Sequence, residues 1–269
     1  MNTLSSLQDK IDNAKELDFG DILNRTFNLF KKTWVQGFIL LLLVMVVMLP
    51  FFMAIFMPTY NSILEQAQSG NYDPNNASAF LQDQPDSFRY MILGLTFLVS
   101  FVTTGLMAGF YRIVKRIDFN ESYSFADFFY FYKAKYIGKI FAIASFSLLI
   151  ALINFAVEKF FPPIGASLFN GVLSIILSVY TTLFVVFFAY NPHLESSDFF
   201  TLSFKFGSKK WFLIFGLMFV TAIIGMLGAI ACFVGMLFTM SIVYLPMYLV
   251  YKDTFGFNNI SAIDKIGTE

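Results

Sequence analysis

The chain has 269 residues, of which 57% are hydrophobic and 13% charged, with 18 basic and 18 acidic side chains and a mean hydropathy of +0.68. About a quarter of a soluble domain is charged, so this share cannot cover a water-facing surface and the chain reads as an integral membrane protein. Zero net charge excludes binding of nucleic acid through phosphate neutralisation, the single cysteine, Cys232, excludes an intramolecular disulfide, and the single histidine, His193, excludes a multi-histidine metal centre.

In chain order, residues 1–17 form a polar segment of mixed charge without a basic n-region and prompt apolar core, so no cleaved signal peptide is expected. The stretches free of Asp, Glu, Lys and Arg then run from Thr33 to Leu64, Tyr90 to Tyr111, Ile140 to Val157, Phe160 to Leu194 and Trp211 to Tyr251. A helix crosses the hydrocarbon core in about 20 residues. The last run, 41 residues long, therefore holds two crossings and the others one each, which predicts six. Its turn is expected near Gly225, Gly228, Cys232 and Gly235, and whether this 211–251 hairpin spans fully or re-enters is left open. The predicted fold is an all-α integral membrane protein with a six-span domain over 18–252, a 58–89 loop and a tail over 253–269. The loop holds Glu65, Asp73, Asp83 and Asp86, and its Asp73-Pro-Asn-Asn-Ala-Ser78 stretch reads as turns.

Sixteen of the 18 basic residues fall in 1–33, 112–139, 191–210 and 251–269, leaving only Arg89 and Lys159 on the other side. Lys and Arg near span ends are retained in the cytoplasm, so both termini are expected inside a bacterial inner membrane, with the 58–89 loop outside and available to a protein partner.

One pattern occurs three times: an Asp, an aromatic amphipathic stretch, basic residues, then a span. Asp21 to Trp34 and Asp198 to Trp211 have equal length, and a looser copy runs from Asp127 to Lys139. In the first copy Phe19, Ile22, Leu23, Thr26, Phe27 and Phe30 fall on one helical face. The expectation is three interfacial helices anchored by Phe27, Phe30, Trp34 and Trp211, each feeding a transmembrane hairpin, with lysines reaching lipid headgroups. Gly105 with Gly109, and Gly225, Gly228, Ala229 and Cys232, are expected where helices approach closely, and Pro50, Pro58 and Pro246 lie in or at the ends of spans.

No ionisable residue lies at bilayer depth, which argues against an ion-coupled transporter. Thr103, Asn154, Asn170, Ser174, Ser178, Thr181 and Thr182 are expected to hydrogen-bond between helices. At the inner interface Asp21, Asp127 and Asp198 read as helix caps that favour the positive end of the helix dipole, with His193 solvated just past a span. The competing reading makes Asp127, Asp198 and His193 the site of a membrane-embedded enzyme acting on a lipid or other apolar substrate. The sequence implies no cofactor and no metal site. Membrane lipids are the expected partners.

The segment Phe19-Gly-Asp-Ile-Leu-Asn-Arg-Thr-Phe-Asn-Leu-Phe-Lys-Lys32, with Asp198…Lys209-Lys210-Trp211 and Gly235…Tyr244-Leu-Pro246…Tyr251-Lys252-Asp253, resembles the membrane domain associated with bacterial glycerophosphoryl diester phosphodiesterases. The chain also resembles small Bacteroidetes membrane proteins, some described as beta-carotene monooxygenases, although the single His193 cannot supply the imidazoles of such an iron site. The phosphodiesterase barrel with its metal-binding carboxylates is absent, so the resemblance implies the membrane scaffold alone; with no nucleophile, base and orienter converging in the sequence, the expected role is scaffolding or binding of a lipid or other amphiphile.

Overall fold

A computed structural model of the chain describes residues 3–70, 86–230 and 234–257. All the regular structure among them is helical: α1 (Leu4–Asp12), α2 (Phe19–Gln68), α3 (Asp86–Asp118), a 3-10 segment (Phe125–Tyr132), α4 (Ala134–Phe160), α5 (Pro163–Tyr190), α6 (Ser196–Met226, with a 3-10 turn over Leu227–Ile230), α7 (Val234–Thr239), a second 3-10 segment (Met240–Tyr244) and α8 (Leu245–Phe255). Among the described residues five helices, α2 to α6, are long and apolar enough to cross a membrane. The remaining apolar segment, Val234–Phe255, is broken by its 3-10 stretch and by Pro246. It returns beside α6, where the Thr239 hydroxyl donates to the Gly225 carbonyl at 2.6 Å. A Cβ on Gly228 would lie 2.6 Å from the Gly235 carbonyl carbon, so the chain reverses through a close backbone approach. Cys232 lies outside the described residues.

The three amphipathic stretches are built differently from three separate interfacial helices. The first is continuous with its span, because α2 runs unbroken for 50 residues. That is about 75 Å, against about 30 Å of hydrocarbon. Nothing in Lys31-Lys32-Thr33-Trp34 breaks a helix, so the change from amphipathic to apolar sequence leaves the backbone straight through. The third is bent at Lys210, whose φ and ψ of -121° and 22° are not helical. The middle one is the 3-10 segment, separated from α4 by Lys133 in extended conformation. Chain expected in the 58–89 loop also extends α2 as far as Gln68, through Pro58. The Asp73–Ser78 stretch lies outside the described residues.

The lysines of the third stretch bond to protein while staying partly exposed. Segment 1–17 contains α1, whose Leu7 and Ile11 are fully buried. The Lys205 ammonium bonds Asp12 Oδ2 at 2.7 Å, Lys209 donates to the carbonyls of Ile11 and Asp12, each at 2.7 Å, and Lys210 donates to that of Lys15 at 3.3 Å. The C-terminal carbonyls of α1, which lack partners within their own helix, are thereby satisfied by cations that also suit the negative end of its dipole. Lys10 ties α1 to the Phe255 carbonyl at 2.6 Å.

The core sits at the end of the bundle that carries these basic residues, around the C-terminal half of α5. Phe184 packs edge-on against Phe146 of α4 and Phe200 of α6, Phe187 edge-on against Phe206 of α6 and Tyr251 and Phe255 of α8, and Phe188 at a tilt against Phe131 of the 3-10 segment. Such offset and edge-on pairs add stabilisation beyond their buried area. At the far end Phe52, Phe56, Phe160, Ile164, Leu168 and Ile230 are exposed, as faces turned to lipid would be.

Gly105 and Gly109 admit the 3-10 segment to the surface of α3. A Cβ on Gly109 would fall 2.7 Å from the Phe128 backbone, and one on Gly105 would strike the Tyr132 ring. The Tyr132 hydroxyl then reaches the Val102 carbonyl. Backbone cannot yield as a flexible side chain does, so Gly109→Ala is expected to cost about 1–3 kcal/mol by overpacking. Gly94→Ala, where nothing lies within 4 Å, is the control. Thermal unfolding in detergent should separate the two variants, and equal melting temperatures would contradict the packing described.

Candidate functional site

The three recurrent aspartates occupy the third position of their helices, with the N-cap supplied three residues earlier by Asp18, Ser124 and Glu195. In the first turn of α2 the Asp21 N–H donates to Asp18 Oδ1 at 2.7 Å. In the other two the aspartate reaches back: the Ser124 N–H donates to Asp127 Oδ2 at 2.9 Å and the Glu195 N–H to Asp198 Oδ2 at 3.1 Å. This reciprocal arrangement satisfies N–H groups that the first turn otherwise leaves unpaired.

Their remaining partners differ. Asp21 is exposed and pairs with Arg25, which also makes a two-pronged bond to Asp253 at 2.7 and 2.8 Å. Asp127 is buried between Arg112 at 3.1 Å and Arg116 at 3.0 Å. Burial pushes the Asp127 carboxyl up, but the Ser124 N–H, the hydrogen bond from Arg112 and the charges of Arg116 and Arg112 outweigh it and hold the group below the usual carboxylate range. His193 follows Asn191, whose amide bonds the Tyr251 hydroxyl at 2.7 Å, and Pro192, whose carbonyl accepts from Lys139 at 2.6 Å. Among the described residues no three His, Cys, Asp or Glu side chains gather closely enough to hold a metal ion. A small cleft of about 140 Å³ at this end touches Arg25, Lys32, Asp118 and Lys252, but Arg25 and Lys252 are already bound to Asp253 and Asp118.

The aromatic anchors are divided between surface and protein. Phe27 and Trp34 stay 37% and 43% exposed, although Trp34 also meets Phe238 with ring centroids 6.2 Å apart. Phe30 packs on the core. Trp211 stacks on Phe215 and donates its indole N–H to the Ile176 carbonyl of α5 at 3.2 Å. The hydroxyl groups expected to bridge helices mostly bond within their own: Thr103 to the Val99 carbonyl, Ser178 to Ile175, Thr181 to Leu177 and Thr182 to Ser178. A carbonyl three or four residues back is always in reach, so a hydroxyl in an apolar medium needs no neighbouring helix.

Two asparagines behave otherwise, and one of them, Asn154, lines a cleft. A cleft of about 690 Å³ opens at the far end between α3, α4 and α5, with Ile55 of α2 beside it. Ile92, Leu93, Ala151, Phe155 and Ala166 give it apolar walls, while Arg89, Thr96, Asn154, Glu158 and Ser167 contribute polar groups. The charged pair is outermost: Thr96 lies about 10 Å along the helix from Arg89, and Ala151 a similar distance from Glu158. Arg89 stands over the Phe155 ring at 5.9 Å, and Glu158 accepts from the Asn170 amide at 3.4 Å, a bond that joins α4 to α5. Asn154 Oδ1 and Asn170 Oδ1 are buried without a hydrogen-bond partner. Sequence reasoning noted Arg89 only as an exception in the charge distribution and passed over Glu158. The signal available was an oppositely charged pair at the ends of adjacent spans.

Comparison with protein-family models, with curated proteins and with solved structures finds no match for this chain.

The differing partners of Asp127 and Asp198 predict different costs. Asp198→Asn keeps an oxygen for the Glu195 N–H and should cost about 1 kcal/mol or less. Asp127→Asn leaves two arginines facing a neutral amide and should cost about 3 kcal/mol or more. Because the folded carboxyl of Asp127 titrates below its unfolded value, its contribution is complete above about pH 4 and fades as pH falls through the depressed value. Unfolding of both variants from pH 7 down to pH 3 checks this. The Asp127→Asn protein should lose part of the acid sensitivity of the parent, and equal costs at the two positions would refute the assignment.

Proposed function

We propose that the chain is a six-crossing protein of the bacterial inner membrane, with both termini cytoplasmic, that binds a lipid or other amphiphile in the cleft between α3, α4 and α5 and performs no reaction there. The cleft itself carries this reading. Its volume falls in the range of about 300–1,000 Å³ that suits small ligands, its walls are apolar, and its charges stand at the mouth. An acyl chain fits such walls, and a polar head fits such a mouth. At the basic end the carboxylates have structural occupations, with Asp127 held by two arginines and Asp198 by the start of its own helix. The kinship to the phosphodiesterase-associated membrane domain is proposed on the quoted sequence segments alone.

The sixth crossing is assigned to Val234–Phe255, whose 22 residues reach about 33 Å if helical throughout and return beside α6. Orientation rests on the concentration of 16 of 18 basic residues at one end. In a Cys232→Ala background, a cysteine at Gly70 should react with an impermeant maleimide in intact cells, and one at Asn120 only after permeabilisation. Labelling of the Asn120 position in intact cells would overturn the topology. For the cleft, Ala151→Trp should fill the space and reduce co-purifying lipid, measured by native mass spectrometry, with the melting temperature retained. Lipid retained in full by a folded Ala151→Trp protein would remove the support for amphiphile binding.

A further inference from the structure

The 3-10 segment presents an aromatic edge and a pair of lysines side by side. It runs along α3 from Asp127, bonded to Arg116, to Tyr132, whose hydroxyl reaches the Val102 carbonyl about 20 Å further along that helix. Phe125 and Phe129 stay 59% and 42% exposed on it, in edge-on contact with each other. Lys133 follows directly, and its ammonium lies back over the Tyr130 ring at 4.5 Å. The ammonium of Lys135 lies over the Tyr136 ring at 4.7 Å and bonds the Tyr136 hydroxyl. The two rings have centroids 5.7 Å apart, so both ammoniums belong to one patch.

Among the described residues neither of these lysines meets a carboxylate, whereas Lys205 and Lys252 at the same end pair with Asp12 and Asp118. A ring face attracts a cation without bringing a charge of its own, and an ammonium has three donors, so Lys133 and Lys135 keep both charge and N–H groups to offer. Arg112 and Arg116 do not add to this offer, since Asp127 holds them. We propose that the patch docks an anionic phospholipid, with Lys133 and Lys135 on its phosphate and Phe125 and Phe129 among its acyl chains. The helix that starts beside these lysines, α4, is long and apolar enough to cross a membrane, which makes a membrane surface the medium next to the patch. A free anion would leave Phe125 and Phe129 uncovered. A zwitterionic lipid would bring an amine that two ammoniums repel. The docking depends on the membrane-spanning reading and not on the cleft, which lies at the other end.

The test places Phe125→Trp in the full chain, in vesicles where either phosphatidylglycerol or phosphatidylethanolamine carries bromine on its acyl chains, and reads quenching of the added indole as the difference from the parent protein. Half-maximal quenching should need a mole fraction of brominated phosphatidylglycerol about fivefold or more below that of brominated phosphatidylethanolamine, the preference expected from one lysine at an anionic surface. Lys133→Gln with Lys135→Gln should bring the two curves together, and Lys133→Arg with Lys135→Arg should keep them apart. Phe52→Trp, on an exposed face of α2 away from the patch, should show no preference and confirms that each variant is folded in the membrane. The proposal falls if the two lipids quench the indole at position 125 equally, if neither quenches it, or if the glutamine pair leaves the preference intact. It falls also if inorganic phosphate, added in place of chloride at constant ionic strength, erases the preference, because the lysines would then be taking a free anion.

Discussion

In the C-terminal half of α5, Val179, Leu183, Phe184, Val186, Phe187 and Phe188 are all buried by protein. A helix that could have faced lipid is instead enclosed by α3, α4, α6, α8 and the 3-10 segment, with edge-on and tilted rings at centroid distances of 4.6–5.1 Å for its closest pairs. Between helices in lipid the contrast of apolar and aqueous surface contributes little, and close packing must hold the bundle together. Rings supply it here because each brings a large, stiff surface. Enclosing α5 at one end commits the surrounding helices there, and the separation of α3, α4 and α5 at the other end leaves the cleft.

Several charges at the same end are resolved internally. Arg25 joins α2 to the residue Asp253 of α8, Lys252 joins α8 to Asp118 of α3, and Arg112 and Arg116 of α3 hold Asp127 of the 3-10 segment. The Tyr248 hydroxyl also donates to Asp118 at 2.5 Å, Lys205 and Lys209 are spent on the end of α1, and Lys210 on the Lys15 carbonyl beyond it. Exposed ion pairs contribute little each. Placed between elements at the margin of an aromatic core, they instead set which helix ends meet, since a slipped register would leave a partly buried charge without its partner.

Much of this was legible in the sequence. The charge-free runs locate α3, α4 and α5, because a span must exclude ionised groups and its flanks attract them. The recurrent aspartates were legible as first-turn residues, and the acceptor or hydroxyl three positions before each, Asp18, Ser124 and Glu195, is readable as a cap once a helix start is sought there. The continuity of α2 was not legible. A change of side-chain pattern at Lys31–Trp34 looks like a boundary, while the backbone responds only to residues that prevent helical φ and ψ. Nor could periodicity reveal that the Gly105–Gly109 face receives a 3-10 segment in place of another span, since small residues advertise close approach without naming what approaches. Arg89 and Glu158 are 69 positions apart, and only the packing of α3 against α4 brings them to one cavity.

Depth distinguishes what this arrangement can do. Ionisable groups held at the middle of a membrane are the means by which protons and cations are passed across, and their desolvation is costly enough that a chain keeps them only for use. Here the charges stop at the mouth of the cleft, with Asn154 one turn further in and Thr96 deeper still, so polarity declines inward in steps from ionised to amide to hydroxyl. That gradient matches a molecule with a charged head, a neutral polar linker and an apolar chain, as it lies at a membrane surface. The Thr96 hydroxyl is satisfied by the Ile92 carbonyl at 2.8 Å, so this polar group asks nothing of an occupant. An amphiphile bound as proposed would be aligned with its neighbours in the bilayer and need not be turned over to bind.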